Sequence, residues 1–174
     1  MVFFKALGVA FVMAGFGAWG LLGAKRIEKR VEQLKNLRLA LGFLEKEITY
    51  NYTPLTRAME RTYMFSPKPV NYIFKDCSLM LKEKDGITAH EAWSKAVKNA
   101  AHYLELKSED LELVLSASSQ LGMSDVYEQR KFFTFIQEEL KVQEEKAMEE
   151  VNSGQKLWSY GGFILGAVIV LLLI

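Results

Sequence analysis

The sequence predicts an all-α protein, an antiparallel bundle of about six helices flanked by an N-terminal and a C-terminal transmembrane helix. Both chain ends are long, apolar and free of acidic residues, while the charged middle repeats apolar residues every three or four positions. The sequence also has no alternating apolar and polar runs and no Asn-Gly turn, the patterns typical of β-hairpins. We therefore expect a transmembrane helix at 1–24, a cytoplasmic bundle at 25–156 and a transmembrane helix at 157–174.

The first predicted span is the uncharged segment 6–24, which lies between Lys5 and Lys25. About 20 apolar residues suffice for a helix to cross the hydrocarbon core of a bilayer. A cleavable signal peptide is the alternative, because Ala18-Trp19-Gly20 resembles a cleavage site. Four basic residues follow the segment directly and favour a retained span with the middle domain in the cytoplasm and both termini across the membrane: Lys25, Arg26, Lys29 and Arg30.

The second predicted span, 157–174, is also uncharged and carries Trp158 and Tyr160 at its start, where aromatic residues anchor helices at the membrane interface. Gly162 and Gly166 lie four residues apart within it, on one face of the helix. Small residues at this spacing allow two helix backbones to approach closely. The pair therefore predicts a packing site for another span.

The first bundle helix continues from the first span, with a stripe of apolar residues at helical spacing: Ile27, Val31, Leu34, Leu37, Leu41, Leu44 and Ile48. We expect it to end near Tyr50 and Asn51, because Thr53 can cap a new helix that has Pro54 at its first position. That second helix ends at the prolines of 66–69.

The third helix carries Cys77 on its apolar stripe, which predicts a buried thiol, and Gly86 is placed for a left-handed turn after it. Thr88 and Glu91 form a capping box that begins a fourth helix, whose Trp93 we expect in the core. The remaining predicted caps are Ser108 for the fifth helix, and Ser124, followed by Asp125, for the sixth.

Composition excludes several functional classes. All 21 acidic residues and all 22 basic residues except Lys5 lie between Lys25 and Lys156, so the middle domain is neutral and unsuited to binding nucleic acid. One cysteine and two histidines form neither a disulfide nor a zinc site. Because no P-loop or hydrolase motif occurs either, we expect no catalytic residue, cofactor or metal.

Glutamates recur along the sixth helix, interleaved with Lys141 and Lys146. This pattern favours a solvated helix face, and a bound cation or a basic partner is the alternative.

The segment 44–55, LEKEITYNYTPL, resembles the signature of the stage III sporulation protein AB family. The similarity extends over nearly the whole chain, through further matching residues: Glu91, Ala92, Trp93, Leu121, Gly122, Asp125, Gln129, Lys131, Gly162, Phe163, Leu165 and Gly166. Two departures stand out. Asn51 occupies a position that is often glycine in the family, and Phe132, Phe133 and Phe135 add aromatic surface to the last helix.

The resemblance implies a scaffold of the channel-like complex between mother cell and forespore, without catalytic activity. It implies a location in the outer forespore membrane with the bundle facing the mother-cell cytoplasm. It also implies a bundle similar to secretion platform proteins, with a cytosolic secretion-type ATPase, other membrane subunits and the lipid bilayer as partners. A membrane-tethered adaptor outside sporulation and a membrane enzyme are the alternatives. Candidate partner contacts are the carboxylates of Glu45 and Glu47 and the rings of Phe132 and Phe135, and a structural role at the corner is the alternative for the glutamates.

Overall fold

The chain is described by a computed structural model. Side chains are described for residues 25–83, 86–119, 121 and 125–154, and helical backbone also for 2–24 and 155–173. Within these residues the chain forms six α-helices, two single turns of 3-10 helix and no strand. The helices are α1 (Val2–Thr49), α2 (Leu55–Phe65), α3 (Asn71–Lys82), α4 (Ala89–Ala100), α5 (Ser108–Ser116) and α6 (Val126–Leu173). The 3-10 turns are Ala101–Tyr103 and Ala117–Ser119. The predicted all-α bundle is confirmed.

The chain separates into two compact units, one made of residues 30–146 and the other of 1–29 together with 147–174. Among residues with described side chains, no helix has the length and apolar character needed to cross a membrane. The predicted spans 6–24 and 157–174 lie outside those residues, and so do Gly162 and Gly166. Both spans, with their boundaries, therefore stay predictions.

The core of the larger unit contains apolar side chains from all six helices, as the periodicity predicts. Burying each large aliphatic side chain contributes roughly 1.5–3 kcal/mol relative to leaving it exposed. The largest fully buried side chains, aromatic and aliphatic together, are Trp93, Phe74, Phe133, Leu34, Leu37, Leu41, Leu44, Met59, Ile73, Ile136, Leu140 and Val70.

Trp93 is fully buried, as predicted. Its indole Nε1–H donates a 2.8 Å hydrogen bond to the carbonyl oxygen of Val114 in α5, and its ring meets that of Phe74 in α3 edge-on, with 5.5 Å between centroids. A buried indole needs such a polar partner. Trp93 therefore joins three helices, α3, α4 and α5.

Among the predicted helix caps, that of α4 is confirmed and that of α5 is wrong. The Thr88–Glu91 box is confirmed, with the Glu91 N–H donating to Thr88 Oγ1 at 3.2 Å and the Thr88 N–H donating to Glu91 Oε2 at 3.0 Å. The predicted cap at Ser108 is wrong, because Lys107 is the N-cap residue of α5 and its N–H donates to Asp110 Oδ2 at 2.9 Å.

The cap of α6 is supplied by Asp125. Its Oδ1 accepts hydrogen bonds from the N–H groups of Tyr127 at 2.9 Å and of Glu128 at 3.1 Å. A carboxylate at this position also interacts favourably with the positive end of the helix dipole. Ser124, the predicted cap, lies outside the described residues.

Candidate partner-binding surfaces

The corner after α1 is organised around the Glu47 carboxylate, which is only 5% exposed. It accepts hydrogen bonds from Asn51 Nδ2 at 2.9 Å, Thr53 Oγ1 at 2.8 Å and Arg61 Nη1 at 2.9 Å. Burial alone would raise its pKa, but these three hydrogen bonds and the Arg61 charge lower the pKa of Glu47 below its ordinary value. The Glu47 carboxylate is therefore directed into the corner, and its role toward a partner stays a prediction. This geometry favours the structural role.

The backbone of the corner corrects two predictions. Thr53 does not cap α2, since its hydroxyl donates to Glu47, and Pro54 is the N-cap residue with no side-chain cap. Tyr52 has a left-handed backbone conformation, with φ 50°. The side-chain amide of Asn51, the residue before it, donates a hydrogen bond to the Glu47 carboxylate.

Glu45, the second candidate carboxylate, lies half-buried between α1 and α6. It accepts a 2.7 Å hydrogen bond from Gln137 Nε2. Gly42, one turn earlier, leaves room for the same glutamine, because a Cβ at this position would come within 2.8 Å of Gln137 Oε1. Glu45 thus belongs to the α1–α6 contact, and its role toward a partner stays a prediction.

The end of the bundle where α1 finishes and α6 begins has exposed aromatic rings. Tyr52 and Tyr127 are each 74% exposed. Tyr50 is also exposed, with the Arg130 guanidinium 4.8 Å from the centre of its ring. Exposed aromatic side chains grouped with arginine are typical of protein interfaces.

Phe132 and Phe135 lie further along α6, with 6.3 Å between ring centroids. Phe135 is exposed and Phe132 is half-buried, while Phe133 between them is fully buried in the core. The aromatic run therefore divides between two faces of the helix. The two outward rings are available to a partner.

A buried ion pair between α1 and α5 was not predicted. Arg30, 3% exposed, donates from Nε to Asp110 Oδ2 at 2.8 Å and from Nη2 to Oδ1 at 3.0 Å, and Asp110 is completely buried. Arg30 is therefore not part of the exposed basic cluster in which the sequence places it. Gln33, one turn along α1, accepts a 2.8 Å hydrogen bond from the N–H of Glu105.

The side chains that could take part in catalysis or metal binding are those of Cys77, His90, His102 and the α6 glutamates. Burial, with a smaller contribution from the Asp76 charge, raises the pKa of the Cys77 thiol to about 12, as expected for an inert core residue. His90 and His102 are exposed. Among the described residues, no three potential metal ligands lie together, the α6 glutamates included.

Comparison with known proteins identifies the family. The sequence profile of stage III sporulation protein AB matches residues 5–174. The chain belongs to this family. The stage III sporulation protein AB of Bacillus subtilis (strain 168) is 30% identical to it over 169 residues, which cover 97% of this chain and 98% of the relative. A solved structure of a stage III sporulation protein AB is 29% identical, with a TM-score of 0.67, and the match covers 71% of this chain and 97% of that one.

Family membership confirms the resemblance stated from residues 44–55 and assigns the chain to sporulation. Within the resembling signature, Thr53 donates to Glu47 and Pro54 is the N-cap residue of α2, so the signature contains the hydrogen-bonded corner.

Proposed function

We propose that this protein is a membrane-anchored, non-catalytic scaffold of the mother cell–forespore channel complex. The observation that carries the proposal is the continuity of α1 and α6, each of which extends without a break from the bundle into an uncharged terminal segment. A helix that continues from a cytoplasmic bundle into a membrane would hold that bundle at the membrane surface. Family membership supports the link to sporulation.

In the proposed topology the bundle faces the mother-cell cytoplasm and both termini lie across the outer forespore membrane. The exposed basic residues after the first segment support it: Lys25, Arg26 and Lys29. Positive charge beside a span favours the cytoplasmic side. Arg30 contributes nothing here, because Asp110 already neutralises it in the bundle.

Thiol labelling in intact cells tests the topology. In a Cys77→Ala background expressed in non-sporulating cells, where the protein would lie in the cell membrane, an impermeant reagent should leave Lys98→Cys on α4 unlabelled and should label Phe3→Cys near the N terminus. The matched control is labelling of both variants after the membrane is permeabilised, which should reach Lys98→Cys, an exposed site. Labelling of Lys98→Cys in intact cells would contradict the cytoplasmic location.

We further propose that the bundle binds a cytosolic secretion-type ATPase through the exposed tyrosines where α1 ends and α6 begins, Tyr52 and Tyr127. Tyr52 follows the end of α1 and Tyr127 lies in the first turn of α6, at the helix ends that do not continue into the proposed spans. Glu47 is not part of this contact, because its carboxylate is used inside the corner.

Affinity purification from sporulating cells tests the coupling role. The wild-type protein should co-purify with the ATPase and other membrane subunits. Tyr127→Ala with Tyr52→Asn should lose the ATPase alone, and the control Tyr103→Ala, exposed on a 3-10 turn, should keep it. Gly162→Leu with Gly166→Leu should lose membrane subunits while the ATPase stays, because leucine blocks close helix approach. Full retention of partners and spore yield in both double variants would refute these surfaces.

A further inference from the structure

The outward sides of α1 and α2 form one surface on the larger unit, which we call the α1–α2 face. Within each helix its residues recur at steps of three and four, so they lie on one side of that helix. They are Leu39, Phe43 and Lys46 of α1, and Arg57, Arg61, Met64 and Phe65 of α2. The rings of Phe43 and Phe65 stack with 4.5 Å between centroids and 7° between planes, and this stacking joins the two sets. Four residues from each ring, Arg61 contacts Glu47 at 2.9 Å, so the helices run side by side and antiparallel along the face.

The centre of the α1–α2 face is apolar and exposed. Met64 is 72% exposed, Phe65 54% and Leu39 47%. Large apolar side chains that are grouped on a surface mark interaction sites, whereas single ones need no explanation. Methionine, phenylalanine and arginine are also enriched where proteins meet. The composition of the face is therefore that of a protein interface.

The exposed charges around this centre have one sign. In residues 33–68, every exposed charged side chain is basic: Lys35, Lys46, Arg57, Arg61 and Lys68. The acidic residues of the same segment, Glu45, Glu47 and Glu60, are at least partly buried, and each carboxylate is bound by another side chain of the bundle. In contrast, α6 exposes charges of both signs, such as Glu138 and Lys141. The α1–α2 face is thus basic, although the middle domain as a whole is neutral.

We propose that the α1–α2 face binds an acidic amphipathic helix of another protein. The apolar side of that helix packs on Leu39, Met64 and Phe65, and its carboxylates pair with Lys46 and Arg57, since a guanidinium can bind a carboxylate through two hydrogen bonds. From Arg57 to Phe65 the face is about 12 Å long, which accommodates roughly two turns of helix. The proposal goes beyond the scaffold function and does not depend on the membrane anchoring, because every residue of the face lies in the larger unit.

Two other occupants fit the face less well. Nucleic acid is bound through many phosphate contacts by a surplus of lysine and arginine, but the middle domain is neutral and the centre of this face is apolar. A second copy of this chain would have to offer a surface of negative charge, and the exposed charges of α6, its most acidic helix, are mixed in sign. An acidic helix with an apolar side matches both the centre and the charges of the face.

Photo-cross-linking of the full chain in sporulating cells tests the proposal. A photoreactive amino acid replaces Met64 at the centre of the face, and the peptide linked to it is sequenced by mass spectrometry. We expect a segment of another protein that is rich in acidic residues and has apolar residues at helical spacing. The matched control places the same photoreactive amino acid at Leu79, which is 49% exposed on α3, and should not link to this segment.

Charge reversal in the same assay gives a second readout. Lys46→Glu with Arg57→Glu should lower the yield of the link at least about twofold, through the loss of two surface ion pairs. The control Lys75→Glu with Lys98→Glu makes the same change in net charge at exposed sites on α3 and α4, and should leave the yield unchanged. A link to a second copy of this chain, to nucleic acid, to lipid or to a segment without acidic residues would overturn the proposal. So would the absence of any link, or equal yields from the two charge-reversed variants.

Discussion

The replacement Asp110→Ala tests whether the buried ion pair stabilises the larger unit. Asp110 is completely buried and accepts two hydrogen bonds from Arg30, at 2.8 and 3.0 Å, and one from the N–H of Lys107, at 2.9 Å. Alanine removes all three while the Arg30 guanidinium stays buried. Breaking one side of such a pair typically costs about 3–5 kcal/mol of the free energy of unfolding. Glu109, whose carboxylate lies 3.5 Å from Arg30, offsets part of this cost.

The assay is thermal and urea unfolding of a fragment comprising residues 25–154, followed by circular dichroism. For a unit of this size, about 3 kcal/mol corresponds to a fall in Tm of roughly 10–15 °C. The matched control is Glu60→Ala, which breaks an ion pair of similar length, 2.9 Å to Lys82, but between partly exposed side chains. We expect a change below about 1 kcal/mol there.

A double variant distinguishes the net contribution of the Arg30–Asp110 ion pair to stability from the cost of leaving Arg30 buried without its partner. Arg30→Met with Asp110→Leu removes both charges and fills similar volume, so it should recover most of the stability lost in Asp110→Ala. If Asp110→Ala costs no more than Glu60→Ala, the reasoning from burial is wrong. If the double variant is as unstable as the single one, the loss comes from the α5 cap and not from the charge.

Three further predictions concern the stability of the same fragment. Because the pKa of Glu47 is lowered from its ordinary 4.5, its ionised form stabilises the fold above that pH, and the contribution disappears as the pH falls through the folded-state pKa. Glu47→Gln should therefore lower Tm at pH 7 and flatten the dependence of Tm on pH below about 4.5. Trp93→Ala should cost about 3–5 kcal/mol, as for other buried tryptophans, against less than about 1 kcal/mol for the exposed Tyr103→Ala. Asp125→Ala should cost about 0.5–2 kcal/mol through loss of the α6 cap, and Asp125→Asn should retain most of it.

Each of these predictions has an opposing outcome. Equal pH dependence of Glu47→Gln and wild type would show that the corner does not favour the ionised carboxyl. An unchanged Tm for Trp93→Ala would place this side chain on the surface. Equal Tm values for Asp125→Ala and Asp125→Asn would show that the side-chain cap contributes nothing.

Local patterns in the sequence predicted local structure well. Apolar spacing identified the buried face of α1, and the Thr88–Glu91 pair identified the start of α4, because both depend on residues within one or two turns. The burial of Trp93 and Cys77 followed from their place on apolar stripes. These signals are carried by neighbours along the chain.

Contacts between distant segments were not predictable in the same way. Arg30 and Asp110 are 80 positions apart, and each has a good local explanation, Arg30 as a basic residue after a span and Asp110 as an acid near a helix start. Thr53 had a plausible local role as a cap, but Glu47 offered its hydroxyl a charged acceptor. The Glu47 carboxylate could be assigned to a partner only because the fold that buries it was unknown.

The polar contacts of α1 have a mechanical consequence. Arg30, Gln33 and Glu47 hold it to α5, to the segment before α5 and to the corner with α2, at three points along its length. Turning α1 by one residue, about 100° about its axis, would break all three contacts at once and expose buried charge. A small twist is therefore not absorbed at α1. A rotation of α1 about its own axis would therefore require α2, α5 and the segment before α5 to turn with it.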